Sequence, residues 1–207
     1  MKVVVFGATG GTGSHVVEQA VAGGHEVTVV ARDPARLAER SRAAGVRVVT
    51  AGFDRSELLD AAVHGQDAVI SALGTNGKGP VSVCTDGLVA ITGSMQRSGV
   101  RRLVVVSAHG ARETHDRSLY SLALWAALKE KMLDKERMEA VVESSGLDWT
   151  IVRPPTLTDG AHSGRYRTST DLPIRLWSRI SRADLAEFLL AETASSSFPA
   201  AYPRIAA

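Results

Sequence analysis

The segment that most limits how this chain folds is its first. Lys2–Phe6 reads KVVVF and runs directly into Gly7-Ala8-Thr9-Gly10-Gly11-Thr12-Gly13. A β-branched run, a glycine-rich turn and then an amphipathic stretch spell strand, turn, helix. Glycines at 7, 10 and 13 give G-x-x-G-x-x-G in the context that makes the motif informative. Gly7 suits the tight turn, Gly10 leaves no Cβ in the way of a pyrophosphate, and Gly13 lets the helix lie close to the strand. Free N–H groups at the helix start then face the phosphates. Ordinary strand-to-helix turns also use glycine, but strand, spacing and helix together favour a dinucleotide site.

The rest of the chain repeats the theme. Runs rich in Val and Ile predict strands at Lys2–Phe6, Glu26–Val30, Val46–Thr50, Asp67–Ser71, Arg102–Val106 and Trp149–Val152. Amphipathic stretches predict helices at Gly11–Ala22, Pro34–Ala44, Arg55–Val63, Ser82–Arg97, Ser121–Ser145 and, from near Ser181, Arg179–Ala194. Strands this uniformly apolar need helices on both faces, so the expected class is α/β, a Rossmann-type doubly wound parallel sheet. The 207 residues fit one such domain, 1–207. Pro154–Asp171, rich in Gly, Pro, Ser and Thr, reads as a long loop beyond the sixth strand. Substrate contacts are expected from loops 74–81, 109–119 and 155–170.

Composition narrows the class of ligand. With 44% hydrophobic and 22% charged residues the chain can bury a core. A net charge of +2 and no basic run of five argue against a nucleic-acid partner. No apolar run reaches the roughly 18–20 residues that cross a bilayer, and no signal segment precedes the first strand. The expectation is a cytoplasmic protein acting on a small molecule, as a monomer or small homo-oligomer. Cys84, the only cysteine, reads as a small buried residue on a helix. No His/Asp/Glu spacing resembles a metal site, so no metal is expected.

The second strand decides which dinucleotide fits. It ends in Val30-Ala31-Arg32, with Arg36 one helical turn later. A carboxylate here would bond a ribose 2′-hydroxyl, whereas a guanidinium grips a 2′-phosphate through two parallel hydrogen bonds. NADP(H) is therefore favoured over NAD(H). The alternative has both arginines solvated and Asp33 serving NAD, although Asp33-Pro34 reads better as a helix cap.

Four segments together resemble a known group: VVVFGATGGTG (Val3–Gly13), VVVSAHGA (Val104–Ala111), DKERMEAVVESSGLDWTIVRPPTLTDG from Asp134, and ISRADLAEFL (Ile180–Leu189). The chain resembles the atypical short-chain dehydrogenase/reductases that bind NAD(P)H, close to the NmrA-like and flavin reductase/biliverdin-IXβ reductase type. That resemblance implies Thr9, Gly10, Gly11 and Thr12 along the pyrophosphate, Arg32 at the 2′-phosphate and Asp54 at the adenine amino group. It implies that Ala72, Leu73 and Gly74 pass along the cofactor, that Ser107 lies near the nicotinamide, and that Pro154 and Pro155 wall that site. Lys135 takes a position held by histidine in the biliverdin-IXβ/flavin reductase type and by lysine in other relatives.

The Tyr-x-x-x-Lys pair of standard short-chain dehydrogenases is absent, because Leu124 stands four residues after Tyr120. Lys135 could hold the cofactor ribose or orient developing negative charge; alternatively it is an exposed helix lysine making i,i+4 pairs, in a stretch where Lys129, Lys131 and Lys135 alternate with Glu130, Asp134, Glu136 and Glu139. Ser107 and His109 are the other polar candidates, His109 either as proton donor or as a surface-loop histidine without chemistry. His115 reads as solvated. Lys78, Arg112, Arg117 and Arg165 could attract an anionic substrate, and Leu119, Leu122 and Trp125 could form a flat apolar wall. Hydride transfer to a conjugated acceptor needs little beyond proximity and orientation. The expectation is thus an NADPH-dependent reductase of a flavin, quinone or bilin-like molecule. The alternatives are a non-catalytic NADP(H) sensor and a dedicated reductase of specialised metabolism.

Overall fold

A computed structural model describes residues 1–39, 45–75 and 81–207. Six strands form one parallel sheet: β1 (Lys2–Phe6), β2 (Glu26–Ala31), β3 (Val46–Thr50), β4 (Ala68–Ser71), β5 (Arg102–Val106) and β6 (Asp148–Val152). Their order is β3-β2-β1-β4-β5-β6, so the sheet reverses direction of growth between β1 and β4. At such a switch, beyond the C-terminal strand ends, open α/β sheets bind their ligands.

Helices cover both faces. Along β1, Val3 and Val5 pack into the core shared with α1 (Gly11–Ala22) and α5 (Arg182–Ser195). Val4 and Phe6 point the other way, into the core shared with α2 (Ser56–Val63), α3 (Val83–Ser98) and α4 (Leu119–Glu143). That alternation explains why the strands are rich in apolar residues on both faces. Gly99 closes α3 with φ +71°, the left-handed cap for which glycine is suited.

The structure departs from expectation in three places. Of the helix expected at Pro34–Ala44, the described residues show a three-residue 3-10 turn, Pro34–Arg36, that stops at Leu37, residues 40–44 lying outside those described. Asp33 Oδ1 accepts from Ala35 N at 3.1 Å and starts the turn. Leu37 then adopts an extended conformation and is buried against the α1/α5 side of the core, and burying it ends the helix. Second, the segment read as a long loop contains β7 (Thr156–Thr158) and β8 (Arg167–Ser169). Their partners, β9 (Arg179–Ser181) and β10 (Arg204–Ala206), lie far along the chain; 179–181 is strand rather than helix, while the last helix begins at Arg182 behind its cap Ser181, near the start expected. Third, α4 starts at Leu119, two residues earlier than expected, because Ser118 Oγ accepts from Ser121 N at 3.2 Å. Leu128 leaves helical geometry (φ −133°, ψ 26°) and kinks α4 into two halves.

Candidate functional site

The phosphate turn is tightly built. Gly7 has φ +82°, and a Cβ there would lie 2.5 Å from the Ala72 carbonyl oxygen. A Cβ on Gly13 would lie 2.2 Å from the Gly7 oxygen. These two glycines let β1, β4 and α1 meet, and any side chain would force them apart. Gly10 differs: a Cβ there would touch only Gly7 O, at 3.3 Å. It is the N-cap of α1 and makes no side-chain cap, and no acidic residue sits in that first turn. The cradle a Cβ and a carboxylate would fill is left to an anion, which is the fit a pyrophosphate requires. Thr9, Gly10 and Gly11 are exposed along it, whereas Thr12 is buried.

Beyond β2 and β3 lies a depression of about 320 Å³ lined by Arg32, Thr50, Gly52, Asp54 and Arg55 among others. Arg32 and Asp54 thus line one pocket. Arg36 is exposed on the 3-10 turn and is not among its lining residues. Asp33 is spent on capping that turn.

At the other end, the tips of β4, β5 and β6 are tied together by α4. Lys135 donates from Nζ to Val106 O at 2.7 Å and to Leu73 O at 3.0 Å. It is therefore not the exposed, ion-pairing helix lysine of the alternative reading. Its neighbour Asp134, wholly buried, accepts from Cys84 N at 2.9 Å and from Thr85 N at 3.0 Å and Thr85 Oγ1 at 2.7 Å. Burial works to raise the Asp134 pKa, but these bonds outweigh it and hold the carboxyl below the usual carboxylate range. One residue pair on α4 thus satisfies the start of α3 and brackets two strand ends. Cys84 is buried, as expected, and its thiol pKa is pushed up chiefly by that burial.

Ser107 donates from Oγ to Glu139 Oε1 at 2.5 Å. Glu139 also takes two bonds from Arg153, Nε at 3.0 Å and Nη2 at 2.7 Å. Arg153 bonds Glu113 as well, and its guanidinium lies 4.1 Å from the centre of the Tyr202 ring. Ser107, Glu139 and Arg153 are all buried. Backbone bonds from Ser107 N to Val152 O (2.8 Å) and from His109 N to Pro154 O (2.9 Å) extend the β5–β6 pairing past the strands. They bring Ser107, His109, Pro154 and Pro155 to one edge, the two prolines buried.

His109 is 4% exposed, not a surface-loop residue. Its ring sits 5.4 Å from that of Tyr120, and Nδ1 has no hydrogen-bond partner among the described residues. Burial, with Arg204 and Arg153 adding to it, lowers its pKa to about 4. The imidazole is neutral near pH 7, so it offers an N–H rather than an acid. His115 is not simply solvated either; it stacks on Trp125 at 3.9 Å between centroids. The Trp125 indole donates to Gly110 O at 2.8 Å, holding it to the 109–119 loop. Leu119 and Leu122 are exposed on the same half of α4. Lys78 lies outside the described residues.

Glu139, Arg153 and Asp134 were not expected as site residues. A signal existed for Arg153, which follows a strand buried at every position but its first; none marked Glu139 among the charges of its helix. The 155–170 loop is pinned by Asp184, which accepts from Ser163 N at 2.7 Å and Gly164 N at 2.9 Å. His162, Asp184 and Glu187 converge there, their ligand-type atoms within 4.8 Å of one another, and the buried member is committed to those loop amides.

Residues 7–195 match the model of a family described as NAD(P)H-binding. A Bacillus subtilis (strain 168) protein described as an uncharacterized sugar epimerase, YhfK, is 29% identical, with 92% of this chain and 87% of that protein covered. ChuY, an anaerobilin reductase from Escherichia coli O157:H7, has the same fold at TM-score 0.83 and 22% identity, with 99% and 96% covered. A candidate NADH-flavin reductase from Streptococcus pneumoniae matches at TM-score 0.80 and 24% identity, with 100% and 99% covered. No described helix is long and apolar enough to cross a membrane.

Proposed function

Starting from the fact that the chain belongs to the NAD(P)H-binding family, we propose that it is an NADPH-dependent reductase of a flat conjugated acceptor, of flavin, quinone or bilin type. The observation that carries this is the chemistry available at the strand tips. Tyr120 has Leu124 where a standard pair would have lysine, and His109 is neutral near pH 7. Ser107 spends its proton on Glu139. The cofactor supplies a hydride; these residues supply orientation and water exclusion but no acid poised near neutrality. An acceptor with an extended π system takes the hydride into that system, and solvent can deliver the proton. Lys135, with two of its three N–H groups on strand carbonyls, has one left for the cofactor ribose. His109 offers its neutral N–H to the acceptor. Arg32, in the adenosine pocket, favours the 2′-phosphate of NADP(H).

NADPH oxidation with FMN, riboflavin and simple quinones tests the proposal, read as loss of nicotinamide absorbance. Turnover on at least one of these, or on a bilin assayed beside them, is expected, and none on flavin, quinone or bilin removes the claim. The inward commitment of Ser107 and Lys135 favours one second reading, a redox sensor that binds both oxidation states of the cofactor tightly and transfers no hydride.

A further inference from the structure

Arg182 is the first residue of α5, and its side chain lies across the first residue of α1. A Cβ built on Gly11 would meet Arg182 Cδ at 2.6 Å and Nε at 2.8 Å. The guanidinium donates from Nη1 to Asp159 Oδ1 at 2.6 Å. That pairing follows from strand register. Strands β7 and β9 run parallel with Thr158 opposite Ser181, so Asp159 and Arg182 are the next rung.

Left to itself, this is a poor place for a cation. Each helix N-terminus carries the equivalent of roughly half a positive charge, and Arg182 stands at two of them. Its partner Asp159 is 87% exposed, so that ion pair contributes little in water. The two helix ends are also unlike. Ser181 caps α5 and Asp184 sits in its first turn, whereas α1 has neither a side-chain cap nor an acidic residue there. A guanidinium beside the uncapped end is complementary to an anion brought from outside.

We propose that Arg182 is a ligand of the cofactor pyrophosphate, held in place by Asp159. One nitrogen is used by Asp159; Nη2 and Nε remain for phosphate oxygens. The 155–170 loop, to which Asp159 belongs, and the cofactor then share a single guanidinium. The proposal rests on nicotinamide dinucleotide binding alone and holds whether or not hydride is transferred.

The test is equilibrium titration of NADPH and NADH against the wild type, Arg182→Gln, Arg182→Lys and Asp159→Asn, with thermal unfolding of each ligand-free protein. Arg182→Gln should weaken both dinucleotides by the same factor, about tenfold, the size expected for a hydrogen bond to a charged group. Arg182→Lys should recover part of that loss, and Asp159→Asn should cost no more than about threefold. Affinities within twofold of wild type for Arg182→Gln overturn the proposal. So does a loss confined to NADPH, which would place Arg182 at the 2′-phosphate, or an Asp159→Asn loss as large as that of Arg182→Gln, which would make the pair a loop staple. Should Arg182→Gln not fold, Arg182→Lys decides alone, an equal partial loss supporting the assignment and no loss overturning it. A wild type that bound neither dinucleotide would overturn the cofactor site itself, and Arg182 with it.

Discussion

Glu139, on α4, grips Arg153, at the end of β6, through two hydrogen bonds of 3.0 and 2.7 Å, and both side chains are almost wholly out of water. Such a pair need not stabilise the fold relative to an apolar one, but removing one charge strands the other. Glu139→Gln should therefore cost about 3–5 kcal/mol. Urea unfolding would show this as a lower midpoint with an unchanged slope; a loss below about 1 kcal/mol would mean that Arg153 finds compensation elsewhere.

Lys135 makes a different kind of contribution, since both its bonds go to neutral carbonyls. Lys135→Met leaves Leu73 O and Val106 O without that donor, at a cost of about 2 kcal/mol in stability. It should also raise the NADPH dissociation constant by about tenfold, through loss of the remaining N–H. Unchanged NADPH affinity in a folded Lys135→Met protein would remove Lys135 from the cofactor site.

His109 gives the fold a pH dependence of known sign. Its pKa is about 4 when folded against 6.5 as the ordinary value. The unfolded chain therefore binds the proton first. Its contribution is fully present above pH 6.5 and is lost as pH falls from there to about 4, by up to about 3 kcal/mol. His109→Phe should flatten that part of the profile in urea unfolding followed between pH 4 and 8. If the wild-type and variant profiles run parallel, the imidazole is not the group responsible.

On the function proposed above, cofactor choice turns on Arg32. Arg32→Ala should weaken NADPH about 10- to 100-fold, the range for hydrogen bonds to a charged group, and leave NADH within twofold. An equal loss for both would relocate Arg32 from the 2′-phosphate to the adenosine or the pyrophosphate.

The sheet was legible because its information is local. Every central strand is a β-branched run with one register against its neighbours, and the ends expected from sequence fall within one residue of those observed. What stayed hidden depends on distance. Leu37 ends a helix only because a core exists to receive it. Strands β7 and β8 are short and polar, and they are strands only because β9 and β10 return to pair with them. At the site, the glycines announce themselves by spacing, and Lys135 by its place in a resembling segment. Glu139 looks like any other charge on a charged helix, and its burial is decided by Arg153, which β6 delivers from the far side of a turn. His109 was visible as a residue but not as a neutral one, since that depends on what surrounds it.

The kink at Leu128 divides α4 into two halves with different neighbours. The half of α4 before it presents Leu119, Leu122, Tyr120 and Trp125 to the 109–119 loop and to solvent, and the half after it holds Asp134, Lys135 and Glu139. On the function proposed above, substitutions on the first half are expected to alter the acceptor and those on the second to loosen the cofactor frame. Because helical geometry is interrupted at Leu128, the two halves need not share one helical register. Divergence in this lineage should therefore be concentrated before residue 128 and sparse after it.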